Sequence, residues 1–156
     1  MRKALLGLFL ALPLLTACEP APAGVDGQAL LDSVGAAIGD PNTCVLLVEQ
    51  GTARTVFRYG EPSRCLRSLP DCGPAGGQTT AEALAKLAAK GDDRAISCDS
   101  VADGSRRVGW AAGSVVASPG SKYGPLAYAA MMEGEGALPG REIKARLEPA
   151  LRKGGM

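Results

Sequence analysis

Cysteine usage constrains this chain more than any other feature. Of 156 residues, five are cysteine and none is histidine. Without histidine there is no Ser-His-Asp or Cys-His catalytic centre, no histidine metal site and no histidine pH switch. Cys18 stands apart near the N-terminus, and Cys44, Cys65, Cys72 and Cys98 follow with no C-x-x-C pair among them, which argues against a four-cysteine zinc site. Met1–Lys3 is a positive start, and Ala4–Leu15 is an almost unbroken apolar run. At about a dozen residues it is too short to span a bilayer and reads as the core of a secretory signal. Four cysteines in an exported domain imply two disulfides. The pairing expected is Cys65–Cys72, closing a short loop, and Cys44–Cys98, joining two strands across a long loop worth on the order of 4 kcal/mol.

Leu15–Thr16–Ala17–Cys18 resembles the lipobox of bacterial lipoproteins. The resemblance implies that residues 1–17 are a signal peptide, that Cys18 is lipidated, and that acyl chains hold the protein on a membrane. Glu19 stands where many inner-membrane-retained lipoproteins carry aspartate, so the same pattern points to the periplasmic face of the outer membrane. Residues 18–25, with Pro20 and Pro22, read as a short extended tether, and a single domain is expected over 26–156. Removing Arg2 and Lys3 leaves 15 basic against 16 acidic residues, so charge gives no reason to expect a nucleic-acid partner. Five aromatic residues remain after residue 17, a modest core that disulfides would support.

Periodicity predicts the elements. Residues 26–39 carry Leu30, Leu31, Val34, Ala37 and Ile38 at helical spacing, with Asp26 as N-cap. Residues 44–49 and 53–60 read as a hairpin around Gln50–Thr52. Residues 61–78 form a Pro/Gly/Cys-rich excursion. A helix then starts at a Thr79/Glu82 capping box, with Leu84, Leu87 and Ala88 on its inner face, and ends before Gly91. Residues 94–102 and 106–116 read as a second hairpin around Asp103–Gly104, with Trp110 in the core. Two helices are expected to follow, one from Pro125 to Met132 or Glu133, and one carrying Ile143 and Leu147 that Pro149 ends or kinks. The fold class is α+β: a small antiparallel sheet of two hairpins covered by helices, in the order α-β-β-α-β-β-α-α with two disulfides. This order is similar to that of profilin-like and roadblock-like sheets, and loosely to the serine β-lactamase core, which carries no function with it.

No catalytic set is legible. Ser-x-x-Lys, Gly-x-Ser-x-Gly, a phosphate-binding loop and a calcium loop are all missing from the sequence, and no cofactor or metal signature replaces them. The carboxylate pairs Asp92–Asp93 and Glu133/Glu135 read as solvated, although a hydrolase assembled from such residues by tertiary structure is one alternative. Arg54, Arg58, Arg64 and Arg67 form the most suggestive cluster, able to hold an anionic ligand or partner, or simply to guard a sheet edge; Arg106 and Arg107 join them if the hairpins are neighbours. Gly120, Lys122 and Tyr123 are similar to part of the Ser-Gly-x-x-Tyr motif of membrane-bound lysozyme inhibitors, with Pro119 in the serine position. That likeness implies a small inhibitor or immunity-type lipoprotein as the second reading. The first is a lipid-anchored binding or accessory protein of the cell envelope, with another envelope protein as partner.

Overall fold

The computed structural model describes residues 21, 24–116, 119 and 124–156. Helix α1 (Gly27–Ile38) is capped by Asp26, whose carboxylate accepts from the amides of Gln28 and Ala29 at 2.9 and 3.2 Å. Strands β1 (Thr43–Glu49) and β2 (Thr55–Tyr59) form the first hairpin. A register shift between Leu47 and Val48 turns both Val56 and Phe57 inward, where strict alternation would have turned one outward. The excursion contains a single helical turn, α2 (Pro62–Cys65), and a two-residue ladder between β3 (Leu69–Pro70) and β4 (Gln78–Thr79). Helix α3 (Ala81–Ala88) is capped by Thr80, one residue later than the capping box predicts, because the Thr80 hydroxyl accepts from the Ala83 amide. Its buried face is Ala81, Leu84, Ala85 and Ala88, while Leu87 points outward at 43% exposure. Strands β5 (Arg94–Asp99) and β6 (Arg107–Val115) form the second hairpin, as expected.

Residues 126–134 are the main departure. The expected helix is strand β7 (Leu126–Gly134), and it lies at the centre of a five-stranded antiparallel sheet ordered β2-β1-β7-β6-β5. Alanine and methionine favour helix in isolation, but a strand covered on both faces also reads as a continuous apolar run. Leu126, Tyr128, Ala130 and Met132 face one layer; Ala127, Ala129 and Met131 face the other. Helix α4 (Gly140–Lys153) passes through Pro149 instead of ending there.

The sheet separates two buried layers. On one face α1 and α4 pack with Val45, Leu47, Ala111 and Tyr128. On the other, α3 and the excursion cover Leu46, Val48, Trp110, Ala129 and both disulfides. Small side chains on α3 and β7 meet there, letting the helix lie close to the strand. The bridges are Cys44–Cys65 and Cys72–Cys98, which corrects the expected pairing although all four cysteines are used. The reason is topological: β7 and β6 intervene between β1 and β5, a separation of roughly 14 Å that no disulfide spans. Instead α2 turns Cys65 back onto β1, and the excursion carries Cys72 across to β5.

Candidate functional site

The best-defined polar constellation forms at the end of the sheet where β1 begins and β7 ends. Glu133 is the only charged residue buried among those described, with its side chain 1% exposed. It falls on the excursion face because it follows Ala127, Ala129 and Met131 at period two. Arg106 meets it as a fork, Nε to Oε1 at 2.8 Å and Nη2 to Oε2 at 2.6 Å. Arg67, in the excursion, donates Nη1 to Oε2 at 2.7 Å. Ser100 donates its hydroxyl to Oε1 at 2.8 Å. The Arg106 guanidinium holds the Glu133 carboxyl below its ordinary range; burial opposes this, while Ser100 and Arg67 reinforce it. A carboxylate with four donors is not a proton acceptor in waiting. It is a clamp that fixes the guanidiniums of two arginines whose side chains are 38–39% exposed. An arginine pair already held in place can meet an anion without losing further side-chain freedom.

The four candidate arginines do not form one cluster. Arg54 belongs to the opposite end of the sheet, where Glu49 accepts from its Nε at 3.0 Å and its Nη2 at 2.5 Å. That pairing, with Thr52, lowers the Glu49 pKa. Arg58 lines an open groove of about 750 Å³ with Leu31, Gly35, Asp40, Tyr59 and Glu61, between α1 and the edge strand β2. Arg64 lies within the single turn of α2, and Arg67 alone of the four reaches Glu133. Arg106 joins Arg67 although the two hairpins are not neighbours: β7 stands between β1 and β6, and its Glu133 links the two arginines. Glu133 corrects the solvated reading of its carboxylate pair. Its burial was legible only once residues 126–134 are a strand. Asp92 pairs with Arg94 at 2.8 Å, and Asp93 with Lys144.

Sequence reasoning also missed Tyr128, which donates to Glu148 at 2.9 Å in the wall of a cavity of about 210 Å³ lined further by Val115, Leu151 and Arg152. Burial, reinforced by Glu148, pushes the phenol well above its ordinary range, so it stays a donor. Cys18 and the loop residues Gly120, Lys122 and Tyr123 lie outside the described residues. No helix among the described residues is long and apolar enough to cross a membrane. No family model, curated protein or solved structure matches the chain.

Proposed function

We propose that this chain is an exported lipoprotein, anchored through Cys18, whose disulfide-bonded domain acts by binding a partner in the cell envelope. The observation that supports this reading is the Arg67–Glu133–Arg106 arrangement together with where the chain enters the domain. Val25 packs into the layer formed by α1 and α4, next to Gly155, at the end where α4 finishes. Helix α1 then runs to the far end, where β1 starts and the arginine pair lies. The six Cα–Cα steps from Cys18 to Gly24 span at most about 20 Å. On this reading the arginine pair faces away from the bilayer, toward an acidic surface on the partner.

The test uses the full-length lipoprotein in its membrane. Cys18→Ala should abolish incorporation of labelled palmitate; unchanged incorporation overturns the anchor. Photo-crosslinkers replacing the exposed Leu66 or Val101 should capture the same envelope protein, and one at Gln28 on α1 should not. Arg67→Gln should weaken that capture several-fold. Equal capture from all three positions, or capture indifferent to Arg67, overturns the arginine face as the contact.

A further inference from the structure

We infer that Cys72–Cys98 is a reversible redox site that releases the excursion, whereas Cys44–Cys65 is a permanent bridge. The two disulfides differ in access. Cys44 and Cys65 are both fully buried. Cys72 and Cys98 are only partly covered, and Cys98 sits on β5, the edge strand of the sheet. Cys72 also has φ 61°, a left-handed conformation that a residue with a Cβ adopts at some cost. Reduction lets that backbone relax, and exposed or strained disulfides are the ones that exchange readily.

The bridge has a defined mechanical role. Residues 66–80 are held at one end by Cys65 and at the other by α3. Between these ends Cys72–Cys98 is the one covalent link to the sheet. Beside it lies a cavity of about 390 Å³ between Asp71, Gly73, Pro74 and Ala75 on one side and Asp92, Arg94 and Ile96 on the other. Pro70 accepts a 2.7 Å hydrogen bond from Nε1 of Trp110, the only tryptophan. Opening the bridge therefore frees residues 71–77 from β5 and loosens Pro70 from the indole, on the same excursion that carries Arg67.

The reductant is a dithiol, such as a Cys-x-x-Cys oxidoreductase. Its thiolate attacks one sulfur of the bridge, the Cys72–Cys98 bond breaks, and the other cysteine leaves as a thiolate and takes a proton. The donor's second thiol then displaces the mixed disulfide. Two electrons and two protons pass to Cys72 and Cys98, and the donor becomes a disulfide.

The experiment needs only the purified folded protein, so its outcome is separate from that of the anchor and partner tests. Dithiothreitol is titrated under native conditions, new thiols are alkylated and mapped by mass spectrometry, and Trp110 emission is followed. The expected result is alkylation of Cys72 and Cys98 at a rate ~10-fold or more above that of Cys44 and Cys65, with a red shift in emission that oxidised glutathione reverses. A Cys72→Ser/Cys98→Ser variant should show the shifted emission without reductant; if it does not fold, the wild-type titration still decides. Simultaneous reduction of all four cysteines, or reduction only on global unfolding, overturns the inference.

Discussion

Glu133 concentrates more polar chemistry than any other described residue. Its oxygens take four hydrogen bonds from three side chains that arrive from the excursion and from the two ends of the β5–β6 connection. Glu133→Gln keeps the shape but leaves two guanidiniums facing a neutral amide. Because both arginines reach water, the loss in stability should be about 2 kcal/mol, less than for a fully buried pair; urea unfolding at neutral pH measures it. The carboxyl pKa is depressed in the folded state, so its contribution is fully present above its ordinary value of 4.5 and is lost as pH falls through the folded value. Wild-type stability should therefore decline in that acidic window, and the slope should be shallower in Glu133→Gln. Identical slopes would show that the clamp does not contribute. Asp26→Ala, which removes the cap of α1, should cost about 1 kcal/mol in the same assay.

At the scale of elements, close backbone approach decides where α4 can lie. A Cβ on Gly140, the first residue of α4, would sit 2.3 Å from the Trp110 carbonyl oxygen and 2.4 Å from that of Ile96. None of these atoms is the tip of a flexible side chain, so Gly140→Ala must lift the start of the helix off β5 and β6. The expected loss is about 3 kcal/mol by thermal or urea unfolding, and a neutral result would mean the helix is not seated this closely. Gly113 makes similar room on β6 for the Tyr128 ring, which a Cβ there would approach to 3.1 Å. Helix α1, both hairpins and the core position of Trp110 were legible because each has local signals: a cap, period-two alternation or an Asp-Gly turn. Strand β7 was not. Its apolar run satisfies helix and central strand equally, and the choice depends on partners supplied by β1 and β6.

For the whole molecule, the disulfides bind the excursion to the layered sheet at two points. Their sequence separations, 21 and 26 residues, correspond by loop entropy to about 3.5 kcal/mol each. Removing Cys44–Cys65 as an alanine pair should cost more than removing Cys72–Cys98, because it also leaves a void at two fully buried sulfurs. Equal midpoints in urea would contradict this. The arginine site is itself a product of whole-molecule topology. Arg67 and Arg106 are 39 residues apart in sequence, and they meet only because β7 carries Glu133 between them.

The sequence by itself determined the α+β class, the participation of Cys44, Cys65, Cys72 and Cys98 in disulfides, both hairpins, and the presence of helices α1, α3 and α4. Those features follow from residue type and local spacing. Tertiary structure decided which cysteines pair, that residues 126–134 form the central strand, and that Glu133 is buried with two arginines. Each depends on which strands are neighbours. With β7 and β6 placed between β1 and β5, Cys44 cannot reach Cys98, and a carboxylate with no sequence-local partner becomes the hub of one end of the sheet.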